Sequence, residues 1–62
     1  MTWYIETNSG RKISGPYFKE EHALDALFQH YHNSRGLFVV EYEGEHPEDK
    51  DKANHIIEPS GR

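Results

Sequence analysis

The sequence predicts a small α+β domain of order ββαβ, in which a three-stranded antiparallel sheet carries one helix on one face. Two observations predict it. Aromatic and β-branched residues lie on both sides of the turn sequence Asn8-Ser9-Gly10, which is typical of a β-hairpin. Apolar residues then recur at helical spacing, and a glycine leads into the run Leu37-Phe38-Val39-Val40. That order favours a helix that returns the chain to a third strand.

The first predicted element is the hairpin. Residues 3–7 are expected to form its first strand and residues 11–14 its second. Because successive side chains of a strand point to opposite faces, Trp3 and Ile5 should lie together on the face that meets the helix. Ile13 is expected to join them from the second strand, so that all three side chains are buried.

The next predicted element is a helix over residues 19–33, after a strand end at Gly15-Pro16 where proline cannot donate a ladder hydrogen bond. Lys19 offers no side-chain acceptor to cap the first helical N–H groups. Gly36 suits a stop, because glycine adopts the left-handed conformation at little cost. The stripe expected to face the sheet consists of Leu24, Leu27, Phe28 and Tyr31.

The third predicted strand covers residues 37–43 and begins with side chains that are apolar on both faces. One face can meet the helix, and the other needs the tail or a partner. Residues 1–44 are therefore interpreted as a ββαβ core domain, and residues 45–62 as an acidic, polar C-terminal tail with a short helix or strand near residues 54–58. The predicted core comprises Trp3, Ile5, Ile13, Leu24, Leu27, Phe28, Tyr31 and Val39, with part of Leu37, Phe38 and Val40.

Size and composition restrict the class of protein. A chain of 62 residues without cysteine forms at most one domain and has no disulfide framework. No apolar stretch approaches the roughly 20 residues of a membrane-spanning helix. The N-terminus lacks the basic start and apolar stretch of a signal peptide. We therefore expect a soluble, cytoplasmic protein that does not enter a membrane.

Residue patterns for catalysis or cofactor binding are weak. The histidines do not show metal-ligand spacing, since His30 and His32 are two residues apart and point away from each other on a helix. The serines lack a general base at an informative spacing, and the glycines do not match a phosphate-binding loop. We expect no enzymatic activity, no metal and no cofactor. The five histidines are His22, His30, His32, His46 and His55.

The charge distribution suggests the function. The formal net charge is −4, and six of the 11 acidic residues lie between residues 41 and 51, a stretch that begins inside the third predicted strand. A concentrated negative field attracts oppositely charged surfaces. The sequence therefore predicts a non-enzymatic protein that occupies a basic surface on a larger protein. The candidate partner-binding residues are Glu41, Tyr42, Glu43, Glu45, Glu48 and Asp49.

Two other interpretations belong to different classes. In the first, the apolar strand face of Phe38, Val40 and Tyr42 pairs across a twofold axis, and the chain is a homodimer or larger structural oligomer. In the second, hairpin aromatic residues together with Arg11 and Lys12 form a weak nucleic-acid-binding module. The net negative charge argues against direct nucleic-acid binding, because phosphate contacts dominate the affinity of such modules.

Three stretches carry a resemblance in layout to a known family. They are Thr2-Trp3-Tyr4-Ile5-Glu6, Glu21-His22-Ala23-Leu24 and Gly36-Leu37-Phe38-Val39-Val40. In this order the chain resembles the small inhibitors of host RNA polymerase that short-tailed phages encode. The resemblance implies a phage-type inhibitor of a host nucleic-acid enzyme. That family has arginines on its last strand, whereas this chain has Glu41 and Glu43, so the resemblance implies a target surface of the opposite, basic charge.

Overall fold

The computed structural model describes residues 1–48 and 51–59. Within these residues the chain forms one antiparallel sheet of four strands, in the spatial order β2-β1-β3-β4, and one helix. The predicted α+β class with one helix on a sheet face is confirmed, and the tail contributes the fourth strand. The elements are β1 (Thr2–Thr7), β2 (Lys12–Tyr17), α1 (Glu20–His30), β3 (Leu37–Tyr42) and β4 (His55–Ile57).

Strand β1 lies inside the sheet and is buried on both faces. It pairs with β3 in an unbroken register, from Thr2 opposite Tyr42 to Thr7 opposite Leu37. Its residues 2–6 are all buried. A strand with two buried faces needs a cover on each side, because one face alone leaves half of its side chains in water.

The helix covers the first face. Helix α1 packs on β1, β2 and β3, and the alternation of β1 directs Trp3 and Ile5 toward it, as predicted. The fully buried centre of this layer is Ile5, Leu27 and Val39. The surrounding, partly buried side chains are Tyr17, Leu24, Ala26, Phe28, Tyr31, Leu37 and Ile57.

A second apolar cluster, which the predicted core did not include as such, lies on the opposite face. Its buried members are Tyr4, Val40 and Tyr42, and Ala53 packs against them. Its cover is the chain between β3 and β4, which we call the acidic loop (residues 43–48 and 51–54). Two hydroxyls of β1 hold this loop: the Thr2 hydroxyl donates to the Gly44 carbonyl at 2.5 Å, and the Tyr4 hydroxyl to the Glu45 carbonyl at 2.9 Å.

Strand β2 differs from the prediction in length and register. It continues through Gly15-Pro16 to Tyr17, which an edge strand tolerates because its outer N–H groups need no ladder partner. Two irregularities shift its pairing with β1, so that Ser14 rather than Ile13 lies opposite Ile5. Ile13 is consequently 37% exposed, and its predicted place in the core is wrong.

The helix is shorter than the predicted span of residues 19–33. It ends at His30, and Tyr31 already has extended backbone angles. The Asn33 side-chain oxygen accepts a hydrogen bond of 2.9 Å from the Arg35 N–H, and such local bonds compete with helical ones. At the other end, Lys19 makes no side-chain cap hydrogen bond, as predicted.

We expect Gly15→Ala to destabilise the fold by about 3 kcal/mol, because it combines backbone strain with a steric clash. Gly15 has φ of +130°, and a Cβ there would lie 2.7 Å from the Tyr4 ring and 3.0 Å from the Trp3 carbonyl oxygen. Urea unfolding followed by Trp3 fluorescence measures the change.

Two glycines provide matched controls for that substitution. A Cβ at Gly10 meets no atom within 4 Å although φ is +89°, so Gly10→Ala should cost only about 1 kcal/mol. A Cβ at Gly44 also meets nothing, and Gly44→Ala should be close to neutral. A Gly15→Ala protein as stable as the Gly10→Ala protein would contradict the close approach of the Tyr4 ring.

Candidate protein-interaction surface

The predicted acidic residues do not form one continuous strip. Glu41 belongs to β3, where it is half-buried and pairs in register with Trp3 on one side and with His55 on the other. It follows Val39 by two residues and therefore lies on the face of the sheet that carries the helix. The acidic loop leaves the sheet beyond Tyr42 and turns across the opposite face. The sheet thus separates Glu41 from the described part of the acidic loop.

The remaining described carboxylates are exposed together on the acidic loop. Glu43, Glu45 and Glu48 are all exposed. Glu43 and Glu45 have no ion-pair partner among residues 1–48 and 51–59. Asp49, the other predicted member, lies outside the described residues.

The backbone of the acidic loop is held at several points. In addition to the bonds from Thr2 and Tyr4, the Asn54 N–H donates to the Glu41 carbonyl at 2.8 Å. Within the loop, the Glu48 N–H donates to a carboxylate oxygen of Asp51 at 2.8 Å, and the Asp51 N–H returns a bond of 2.9 Å to the Glu48 carbonyl. The loop therefore presents its exposed carboxylates from an anchored backbone rather than from a free tail.

The anchoring residues were not among the predicted site residues. Thr2 and Tyr4 lie on β1, about 40 positions before the loop residues that they bind. For Tyr4 the sequence contains a partial indication of this role, because the hydroxyl of a buried tyrosine usually finds a hydrogen-bond partner. Which carbonyl it would find depends on the tertiary path of the loop.

The structure buries the side chain of Tyr42, whose role in partner binding stays a prediction. Its side chain is only 6% exposed, and its hydroxyl donates a hydrogen bond to a carboxylate oxygen of Glu6. The reason is the alternation of β3, which places Tyr42 beside Val40 on the face that the acidic loop covers. Tyr42 therefore packs in the apolar cluster beneath the acidic loop.

A cluster of polar side chains, formed by Glu6, Lys12 and Tyr42, is buried on the same face of the sheet. Glu6 is 5% exposed, and its carboxylate lies 3.6 Å from the Lys12 ammonium. The same ammonium lies 4.6 Å from the centre of the Tyr42 ring. A carboxylate taken out of water is costly unless it is paired and hydrogen-bonded, and both conditions are met here. Within the described residues, no buried side-chain nitrogen or oxygen lacks a partner, so this cluster is satisfied and structural.

The twofold interface formed by Phe38, Val40 and Tyr42 is mostly unavailable. Val40 and Tyr42 are buried, and Phe38 is half-buried at the side of the same cluster. What remains open is a groove of about 220 Å³ between the hairpin tip and β4. Its lining residues are Glu6, Thr7, Asn8, Gly10, Phe38, Val40 and Ile56.

The nucleic-acid interpretation loses its main stacking groups. Trp3 and Tyr4 are buried and do not offer open ring faces to a base. Lys12 is half-buried and engaged with Glu6. Of the predicted pair, Arg11 alone is exposed, next to the hairpin tip, and this cation on a chain of net charge −4 gives little attraction for phosphates.

Within residues 1–48 and 51–59, no group of three or more His, Asp or Glu side chains could hold a metal ion. His55 instead packs edge-on against Trp3, with ring centres 6.2 Å apart. Over the same residues, no helix has the length and apolar character needed to cross a membrane.

Comparison with protein-family models, with curated proteins and with solved structures gives no match. The resemblance to phage inhibitors therefore stays a prediction that depends on the three sequence stretches named above.

We expect Tyr42→Phe to lower the free energy of unfolding by about 2 kcal/mol, because it removes a hydrogen bond from a buried carboxylate. Tyr31→Phe is the control, since the Tyr31 hydroxyl has no hydrogen bond among the described residues and its loss should change stability by less than about 0.5 kcal/mol. Urea denaturation of both variants, each with and without Glu6→Gln, gives the coupling energy. Additive effects of Tyr42→Phe and Glu6→Gln would contradict the bond.

Proposed function

We propose that this protein is a non-enzymatic binding module whose acidic loop occupies a basic surface of a larger protein. The observation that carries the proposal is the pair Glu43 and Glu45. Both are exposed, and both lack an ion-pair partner within the described residues. They sit on a loop that the sheet anchors through Thr2 and Tyr4.

The anchoring supports the proposal through the entropy of binding. A flexible acidic tail loses conformational freedom when it binds, and this loss reduces its affinity. A loop already fixed by hydrogen bonds from β1 avoids much of that cost. Glu48 extends the same surface, whereas Glu41 lies on the helix side of the sheet and is assigned at most a peripheral role.

The most specific form of this proposal is a phage-type inhibitor acting in the cytoplasm on a host enzyme that binds nucleic acid. Such an enzyme has lysines and arginines that normally contact phosphates. Carboxylates accept charge-assisted hydrogen bonds from the same groups. The acidic loop would then compete with the nucleic acid by charge, without itself being shaped like a nucleic acid.

The test is affinity capture from a host-cell lysate, followed by a salt titration of the captured protein. We expect the complex to dissociate progressively between low and high salt, because exposed charge pairs are screened over about 10 Å at 0.1 M salt. The variant Glu43→Gln/Glu45→Gln should bind the same protein at least about tenfold more weakly.

The matched control for charge is Glu21→Gln/Asp25→Asn on the exposed side of α1, which removes the same number of negative charges. It should bind like the parent protein. Salt-independent binding, or equal weakening by the helix variant and the loop variant, would show that the acidic loop is not the contact surface.

A further inference from the structure

The groove of about 220 Å³ lies on the face of the sheet opposite the helix. Glu6 of β1 and Phe38 of β3 are cross-strand partners, and so are Val40 of β3 and Ile56 of β4. Because side chains alternate along a strand and cross-strand partners share a face, all four side chains point to this face of the sheet. Three of them are apolar, so the groove is an apolar surface that contains one carboxylate.

One oxygen of the Glu6 carboxylate is open to this groove. The Tyr42 hydroxyl and the Lys12 ammonium both approach the same oxygen, Oε2. The second oxygen, Oε1, accepts no hydrogen bond within the described residues. Since no buried side-chain oxygen among those residues lacks a partner, Oε1 must be reached by solvent. Glu6 as a whole is only 5% exposed, and the groove that it lines provides the opening.

The size, lining and charge of the groove select a class of ligand. A cavity of about 150 Å³ holds one benzene ring, so the groove has room for a single substituted ring. Ile56 is 61% exposed, and covering it with an apolar group gains free energy. The open oxygen of Glu6 can accept a hydrogen bond from a donor. Because the Lys12 ammonium already balances the carboxylate, an uncharged donor fits better than a second cation.

We propose that this groove binds a small, uncharged phenol. The ring packs against Phe38, Val40 and Ile56, and the phenolic hydroxyl donates a hydrogen bond to Oε1 of Glu6. The hydroxyl replaces water at this oxygen, so the carboxylate keeps a partner when the ring excludes solvent from the groove. A phenol is the simplest ligand that combines one apolar ring with one uncharged donor.

The strands beneath the groove favour a free small molecule over a tyrosine side chain of a bound peptide. Peptides that bind to sheets add a strand to an open edge, and their affinity comes from main-chain hydrogen bonds. Glu6, Phe38 and Val40 belong to β1 and β3, which are inner strands with a neighbour on each side. This part of the groove therefore offers a ligand side chains rather than a free strand edge.

The test is a titration of the full, isotope-labelled chain with p-cresol, followed by nuclear magnetic resonance. We expect saturable binding with a dissociation constant of about 1 mM, because one ring in an open groove buries little surface. The backbone amides of Thr7, Phe38 and Ile56 and the side-chain carboxyl carbon of Glu6 should shift together. The amide of Glu43, which does not line the groove, should not shift, so the result is independent of the proposed function.

Three related ligands separate the parts of the proposal. The compound 4-methylanisole keeps the ring but has no hydroxyl donor, and it should bind about tenfold more weakly than p-cresol. Equal binding of the two would overturn the hydrogen bond to Glu6. The cation of 4-methylbenzylamine should also bind more weakly, and tighter binding would overturn the choice of an uncharged ligand. Tighter binding of N-acetyltyrosinamide would overturn the free ligand in favour of a tyrosine of another chain.

A pair of matched substitutions tests the location. Ile56→Ser removes an apolar side chain from the groove and should weaken the binding of p-cresol about fivefold. The control is Ile13→Ser, the same change at an exposed isoleucine of β2 that does not line the groove, and it should bind like the parent. Near-ultraviolet circular dichroism of Trp3 verifies that both variants are folded. Equal weakening by the two variants, or no shift with p-cresol at about 20 mM, well above the expected dissociation constant, overturns the site.

Discussion

The structure depends on covering both faces of strand β1 with very little chain. Residues 2–6 are all buried, with side chains that alternate between the two faces of the sheet. The described chain contains a single helix, and that helix can cover only one of the two faces. The other face is closed by the acidic loop, which β1 itself holds through the hydroxyls of Thr2 and Tyr4. A polar, highly charged segment can serve as a cover because its backbone carbonyls meet buried hydroxyls while its carboxylates stay in water. The need to cover both faces of β1 determines where the buried polar cluster, the exposed carboxylates and strand β4 lie.

The buried cluster of Glu6, Lys12 and Tyr42 follows from the same arrangement. Once the loop closes the second face, the even-numbered residues of β1 lose contact with water. Glu6 is one of them, and the cost of burying its carboxylate must be compensated. The Lys12 ammonium neutralises its charge, and the Tyr42 hydroxyl supplies a hydrogen bond. Replacing such a cluster with apolar residues can cost nothing in stability, whereas removing one member leaves an uncompensated group. The cluster also links β1, β2 and β3, so it favours one register among the three strands.

The loop and strand β4 are two consequences of one chain path. The segment that leaves β3 must cross the second face and return in order to pair as β4, and its charged part is exposed during the crossing. Its apolar end, Ile56 and Ile57, divides between the two faces. Ile57 completes the helix-side core, whereas Ile56 is left at the open edge with no further element to cover it among the described residues. The acidic surface and the apolar edge are therefore neighbouring but separate, one polar and one hydrophobic.

The sequence by itself determined the α+β class, the hairpin, the uncapped helix start and the helix-side core around Ile5, Leu27 and Val39, and it left a helix or a strand open near residues 54–58. These follow from local periodicity and turn chemistry, which act within a few residues. Tertiary structure alone decided the exposure of Ile13, the burial of Tyr42 and the separation of Glu41 from the acidic loop. Each of these depends on an event that local pattern does not encode: a bulge that shifts register by one residue, or a loop that crosses a face more than 40 positions from its anchors. A one-residue shift in register exchanges the two faces of a strand. An alternating pattern can therefore predict the strand correctly and still predict the wrong face for one of its side chains.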